Sequence, residues 1–93
     1  MTANALAITG GTVTAAYHFA LGAGNGSGNS VTVSGSGARL TTTNFDLGVG
    51  YYIDGGNYGN NNTLTASAGG VISAGRTLYL GSGTATGNLL EVT

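Results

Sequence analysis

The sequence predicts an all-β fold in which 93 residues wind as a right-handed parallel β-helix with three strands in each coil. Two observations carry this prediction. The sequence nearly repeats itself three and a half times, and apolar residues within each repeat alternate with polar or small ones. A period of roughly 20–50 residues is typical of a solenoid, in which one unit buries its apolar face only against stacked neighbours.

The first strand of each repeat follows an asparagine and carries aliphatic or small residues at every second position. This frame recurs at residues 4–8, 29–33, 62–66 and 88–92, with starts 25, 33 and 26 residues apart. Strict alternation is the pattern of a strand that buries one of its two faces.

Two further strands complete each repeat. The second strand is centred on Val13, Leu40 and Ile72, after glycine-rich turns. The third is expected at the pairs Phe19/Leu21, Phe45/Leu47 and Leu78/Leu80. Glycines follow in two sets, Gly22, Gly48 and Gly81, then Gly24, Gly50 and Gly83. Glycine at a repeated position indicates a positive φ or a close backbone approach.

The repeats define a single domain of about 3.5 coils: residues 4–28, 29–61 and 62–87, with a partial coil at 88–93. Parallel crossover connections favour the right-handed winding. Neither end carries a capping helix or a charged final coil, so we expect edges with unpaired N–H and C=O groups.

Asn4, Asn29, Asn62 and Asn88 share the parity of the buried aliphatic residues. Stacked about 4.8 Å apart, their amides would form a hydrogen-bonded ladder along the coils. The alternative is that each asparagine simply suits a turn, because its side chain bonds nearby backbone and tolerates a left-handed φ.

One segment breaks the period. Asn62 follows Gly50 by 12 positions, where the corresponding offset in the neighbouring repeats is 5, and the additional residues form an insertion loop at 51–60. Its candidate contact residues are Tyr51, Tyr52, Asp54, Asn57 and Tyr58. Such a loop could bind a glycan by ring stacking and hydrogen bonds, or form a subunit contact, since tyrosine is enriched in interfaces. It could equally pack on the wall without binding anything.

Composition excludes several classes of function. With 2 Lys+Arg, 3 Asp+Glu and 5% charged residues, the chain offers no basic patch for nucleic acid. The absence of cysteine excludes disulfides and thiolate metal sites. No apolar run approaches the length of a membrane-spanning helix, so we expect no membrane insertion.

Catalysis and cofactor binding are not expected. Glycoside hydrolysis needs a carboxylate pair, and calcium needs several oxygen ligands. The ionisable residues that bear on these reactions are Asp46, Asp54, Glu91, His18, Arg39 and Arg76. Asp46 is expected to face outward from the third strand, level with Ala20 and Tyr79. His18 is expected at a corner or exposed strand edge, and the two arginines as solvated charges.

The motifs Asn-x-Leu-x-Val-Ser/Thr, Gly-Gly-x-Val and Leu-x-Leu-Gly-x-Gly recur along nearly the whole chain. This pattern resembles the repeats of bacterial autotransporter passenger regions and related surface proteins. The resemblance implies an extracellular right-handed β-helix that serves as an adhesin or stalk. Residues 1–4 lack the features of a signal peptide, so for an exported protein we expect a removed leader or an excerpt of a longer chain.

The sequence therefore predicts a structural, extracellular or cell-surface solenoid segment: an adhesin stalk, a spacer or a self-assembling filament subunit. Its expected partner is a further copy, joined end to end, or the continuation of a longer chain. The alternatives are a glycan-binding module, a phage fibre segment and a functional amyloid with two strands per repeat. A polysaccharide-degrading enzyme is the least favoured.

Overall fold

The computed structural model describes residues 4–22, 26–50, 59–81 and 85–93. Within these ranges the secondary structure consists of ten strands. They are β1 (Ala5–Ile8), β2 (Thr12–Ala15), β3 (Phe19–Leu21), β4 (Ser30–Ser34), β5 (Arg39–Thr42), β6 (Leu47–Val49), β7 (Thr63–Ser67), β8 (Val71–Ser73), β9 (Leu78–Leu80) and β10 (Leu89–Val92).

The strands form three parallel sheets. Sheet 1 has the order β1-β4-β7-β10, sheet 2 the order β2-β5-β8, and sheet 3 the order β3-β6-β9. Consecutive strands of the chain thus lie in different sheets, and each sheet takes every third strand. The prediction of an all-β fold with parallel strands is confirmed.

The alternation predicted for the first strand of each repeat is seen in the middle of sheet 1. In β4 and β7 the residues Val31, Val33, Leu64 and Ala66 are buried, while their sequence neighbours are half-buried. The pairing places Val31 opposite Leu64 and Val33 opposite Ala66. The aliphatic positions of successive repeats therefore stack over one another, as strand periodicity requires.

In sheet 3 the predicted alignment of the second repeat is wrong by two residues. Leu47, rather than Phe45, pairs with Phe19 and with Leu78. The turn that precedes β6 displaces Phe45, whose ring packs against the ring of Tyr17 with centroids 5.1 Å apart. Leu47 and Val49 supply the buried pair of this strand instead.

The same shift corrects the glycine equivalences. Gly22, Gly50 and Gly81 follow the third strand of each repeat, and their φ angles are +80°, +69° and +71°. Gly48 lies inside β6, level with Ala20 and Tyr79. The positive φ explains why glycine recurs after the strand, because other residues rarely adopt this conformation.

The hydrophobic core lies between the three sheets and draws on all of them. Its buried members are Ile8, Leu21, Val31, Val33, Ala38, Leu40, Leu47, Val49 and Leu64. Most of these residues belong to β4, β5, β6 and β7, the strands with neighbours on both sides. The core is therefore complete in the middle of the stack and thins toward both ends.

Candidate functional site

The structure places the four recurring asparagines in one column along the edge of sheet 1. The Asn29 Oδ1 accepts from the Asn4 backbone N–H at 3.0 Å and from its Nδ2 at 3.2 Å. The Asn62 Oδ1 accepts in the same way from Asn29, at 3.0 and 3.1 Å. The Asn88 Oδ1 accepts from Asn62, both distances being 3.0 Å. Three consecutive amide-to-amide steps thus connect the repeats.

The column is also bonded to the neighbouring turns. The Nδ2 of Asn62 donates to the Gly26 carbonyl at 2.9 Å, and the Nδ2 of Asn88 donates to the Gly59 carbonyl at 2.9 Å. Asn62 is fully buried, and its amide has partners on both its oxygen and its nitrogen. A buried amide is stabilising only in this condition, since an unsatisfied polar group in the interior is costly.

Glycines approach the column closely. A Cβ atom on Gly22 would overlap the Asn62 amide, and one on Gly50 would overlap the Asn88 amide. Both positions therefore exclude a side chain for two reasons, the positive φ and the amide that fills the adjacent space. The recurring glycines and the recurring asparagines are two parts of one structural motif.

A second polar site surrounds Asp46, in the turn before β6. The Arg76 Nε lies 2.9 Å from Asp46 Oδ1, and its Nη2 lies 3.0 Å from Oδ2. Asp46 is only 3% exposed, so the expectation that it faces outward from a strand is wrong. Arg76 is likewise not a simple solvated charge, because its guanidinium binds the carboxylate at two points.

His18 and Phe45 complete this cluster. The Asp46 backbone N–H donates to His18 Nδ1 at 3.1 Å. The Phe45 ring meets the His18 ring edge to face at a centroid distance of 4.9 Å, and the Arg76 guanidinium lies 6.0 Å from its centroid. We call Tyr17, His18, Phe45, Asp46 and Arg76 the corner cluster.

The electrostatics of the corner cluster favour an ionised carboxylate. The hydrogen bond from Arg76 holds the pKa of Asp46 below its ordinary value, with further contributions from the Arg76 charge and the Thr77 backbone, against an opposing effect of burial. The cluster contains a single carboxylate, which is paired with Arg76. Acid/base glycoside chemistry uses two carboxylates. Its geometry is suited to joining β3, β6 and β9.

Thr42 is a third polar residue with a structural role, and sequence reasoning did not single it out. It is buried at the end of β5, where its Oγ1 donates to the Phe45 carbonyl at 2.8 Å and accepts from the Gly75 N–H at 2.9 Å. The sequence offers one indication of this role. Thr42 follows the inward Leu40 by two residues, so strand alternation places both side chains on the buried face. In the run 41–43, threonine otherwise suggests only an extended backbone.

Both ends of the stack expose apolar side chains. At the first end, Leu6 in β1 and Val13 in β2 are 45% and 40% exposed. At the last end, Leu78 and Leu80 in β9 are 41% and 49% exposed. A cavity of about 320 Å³ opens at the first end, lined chiefly by β1, β3 and β4. These residues occupy inward positions that a further strand would cover.

The predicted contact residues Tyr51, Tyr52, Asp54, Asn57 and Tyr58 lie outside the described residues, so their glycan or subunit role stays a prediction. The end of the insertion loop is described. The Asn60 carbonyl accepts from Gly28 N–H at 3.2 Å, and its Oδ1 accepts from Thr86 N–H at 2.8 Å. The insertion thus rejoins the stack next to the asparagine column.

Comparison of the chain with protein-family models, with curated proteins and with solved structures finds no match. The class of protein is therefore described by its architecture alone. The chain is an all-β protein of parallel sheets built from a sequence repeat. Across the described part of the chain, no helix has the length and apolarity needed to cross a membrane.

Proposed function

We propose that this chain is a segment of a right-handed parallel β-helix whose role is structural. In this proposal each coil contributes one strand to each sheet, giving coils at 4–28, 29–61 and 62–87, a partial coil at 88–93, and uncapped ends. The strand order supports the proposal, since every third strand joins the same sheet in parallel register. Right-handed winding is the usual hand of parallel crossovers.

One observation supports the structural role: the buried polar groups bond successive repeats to one another. The asparagine column connects four successive repeats, while the Asp46 pair and the Thr42 hydroxyl each connect two. All three sites resist separation of the coils along the stack. A stalk, spacer or filament subunit needs this property, whereas an enzyme needs polar groups directed at a substrate.

An extracellular or cell-surface location completes the proposal. The resemblance to autotransporter passenger repeats, the absence of cysteine and the low charge support it. The test is antibody labelling of intact and permeabilised cells of the source organism. Labelling that requires permeabilisation would contradict a surface location and leave the solenoid unaffected.

The architecture is tested by lengthening the stack. Two additional copies of residues 62–87, inserted after residue 87, should extend the particle by about 10 Å, because each coil adds one strand spacing of about 4.8 Å. Two cysteines introduced into the cysteine-free chain, one in β1 and one in β10, would carry dyes that report the distance by energy transfer. The unfolding transition should remain cooperative.

The matched control inserts the same 52 residues in scrambled order, which preserves composition and removes the repeat. This variant should lose the cooperative transition. A lengthened chain that behaves like the scrambled one, or that shows no increase in distance, would contradict the proposed winding and the stalk or spacer role with it.

A further inference from the structure

The outer face of sheet 1 carries a regular array of hydroxyl groups. In its two central strands, β4 and β7, the inward side chains are aliphatic and every outward side chain is a serine or a threonine. The register aligns these outward residues in three columns across the two strands. We call the six residues the hydroxyl array: Ser30, Thr32 and Ser34 of β4, and Thr63, Thr65 and Ser67 of β7.

The sheet fixes the spacing within the hydroxyl array. Successive outward residues of one strand lie about 6.6 Å apart, because the chain rises about 3.3 Å per residue. Paired residues of the two strands are separated by about 4.8 Å, the distance between neighbouring strands. The array is therefore a grid with two repeat distances, set by the backbone and not by flexible side chains.

The hydroxyl array is held rigidly and is open to solvent. Both strands have ladder neighbours on each side, and the residues Val31, Val33 and Leu64 beneath them belong to the hydrophobic core. Threonine is also restricted at χ1 by its branched Cβ. All six array residues keep part of their surface exposed. Within the described part of the chain, their hydroxyls make no hydrogen bond to the protein.

The surroundings of the hydroxyl array are flat on one side and charged on the other. Toward β1 its columns continue with Ala5 and Ala7, whose methyl groups do not project above the array. Toward β10, Glu91 pairs with Thr65 and borders the array. The six residues themselves carry no charge, so the array is complementary to a neutral surface of evenly spaced hydrogen-bonding groups.

We propose that the hydroxyl array binds ice. Crystal faces of hexagonal ice present water oxygens in rows whose repeat distances are close to the two repeats of the array. Several hydroxyls can therefore bind lattice waters at once, and hydrogen bonds to ordered water are nearly as favourable as direct ones. Because the sheet is rigid before contact, binding costs little conformational freedom. This activity goes beyond the structural role and requires only the observed pairing of β4 with β7.

Sheet 2 offers a natural comparison, because its outer face has hydroxyls without a grid. Thr14, Thr41 and Ser73 form a single column there. In the adjacent column, Arg39 and Val71 are neighbours and interrupt the hydroxyls. A charge and a larger apolar side chain thus lie where a lattice would need small hydrogen-bonding groups, so we assign ice binding to sheet 1 alone.

Slow growth of ice from a dilute solution of the chain tests the proposal, with the protein measured in the ice and in the remaining liquid. We expect the natural chain to be retained in the ice. Thr65→Lys places a long charged side chain in the central column and should be excluded. Thr41→Lys, the same change on the outer face of sheet 2, is the matched control and should be retained.

Exclusion of the natural chain from ice would overturn the proposal. Equal behaviour of the two lysine variants would overturn it as well, and circular dichroism checks that both remain folded. A crystalline neutral polysaccharide is the other surface with ordered hydroxyls, so sedimentation with microcrystalline cellulose is measured in parallel. Cellulose binding that Thr65→Lys abolishes, together with exclusion from ice, would replace ice by a polysaccharide as the occupant.

A second pair of variants removes hydroxyls without adding bulk. Thr32→Val/Thr65→Val removes the central column of the array and keeps the branched shape, while Thr14→Val/Thr41→Val does the same on sheet 2. The gap between the melting and freezing temperatures of a single ice crystal should narrow in the first variant and stay unchanged in the second. The same gap in both would show that the hydroxyls of the array do not bind ice.

Failure of this inference and failure of the proposed function give different results. A chain that lengthens with added coils but is excluded from ice keeps the solenoid and loses ice binding. A chain that is retained in ice but cannot be lengthened keeps the array and loses the winding.

Discussion

Asp46 and Arg76, 30 residues apart in the sequence, form a two-point ion pair with N–O distances of 2.9 and 3.0 Å. The pair connects the turn before β6 to the turn before β9, and the carboxylate end is buried. Two-point arginine–carboxylate pairing fixes geometry as well as charge. The turn that shifts the register of β6 is thereby fixed to the next repeat.

Acid should destabilise the fold through Asp46. The pKa of Asp46 is lowered in the folded protein from an ordinary value of 3.8, chiefly by the hydrogen bond from Arg76. Its contribution to stability is therefore complete above the unfolded pKa and is lost as the pH falls through the folded pKa. Urea unfolding between pH 2 and pH 7 should show a decreasing free energy of unfolding below about pH 4.

Asp46→Asn supplies the comparison, because it removes the titrating group and keeps the shape of the side chain. This variant should be less stable than the natural protein at pH 7, and the difference should shrink as the pH falls. Glu91→Gln, at an exposed position, is the matched control for removal of one negative charge. A constant difference between the natural protein and Asp46→Asn across the whole pH range would refute the role of the ion pair.

Replacing Asn62 should destabilise the protein more than any exposed asparagine. Asn62→Leu keeps most of the volume but removes the acceptor of two Asn29 bonds and the donor to Gly26. Buried groups left without partners cost about 1–3 kcal/mol each, so we expect a loss of roughly 2–4 kcal/mol. Urea or thermal unfolding measures the effect.

Asn44→Leu is the control, since Asn44 lies in an exposed turn. Its effect should stay within about 0.5 kcal/mol, as for most surface substitutions. If the two variants lost the same stability, Asn62 would contribute no more than an ordinary turn asparagine. The alternative that each recurring asparagine simply suits a turn would then hold.

Sequence periodicity was sufficient for the strands but not for the register of every repeat. The alternation around Val31 and Leu64 marks an inward face, and the structure stacks these residues in one sheet. Phe45 was aligned with Phe19 because both precede a Leu-Gly pair by one residue. The turn before β6 is one residue longer than the turn before β3, so this shared pattern does not give the register. Turn length is tolerant of change, so spacing alone does not fix it.

The polar sites likewise divide into one that the repeats predict and one that they do not. Four asparagines in one frame could be recognised because repetition identifies equivalent positions. Asp46 and Arg76 occur once each, at positions with no repeat partner of the same type. Their pairing depends on which turns are neighbours across the sheets, and this information exists only once the register is known.

Alanine at Gly50 should cost more than alanine at Gly37. Both glycines have a positive φ, +69° and +85°, and a side chain in that conformation costs about 1–2 kcal/mol. A Cβ on Gly37 would meet nothing within 4 Å, whereas one on Gly50 would overlap the Asn88 amide. Gly50→Ala should therefore lose a further amount of about 1–3 kcal/mol as the Asn88 hydrogen bonds are displaced.

The difference between the two variants isolates the contact with the column. Thermal unfolding of Gly50→Ala and Gly37→Ala at one protein concentration measures it. Equal losses would mean that only the backbone conformation matters at Gly50, and the proposed coupling of glycines and asparagines would be wrong.

Thr42→Val should destabilise the protein by about 1–3 kcal/mol, because the change keeps the shape but leaves the buried Gly75 N–H without its acceptor. Thr41→Val, one residue earlier with its side chain on the outer face, is the matched control and should change stability by about 0.5 kcal/mol or less. Hydrogen exchange gives a local readout: the Gly75 amide should exchange faster in Thr42→Val and at the natural rate in Thr41→Val. Unchanged protection of Gly75 in both variants would show that the hydroxyl does not hold this turn, since the amide bonded to it would then be protected by something else.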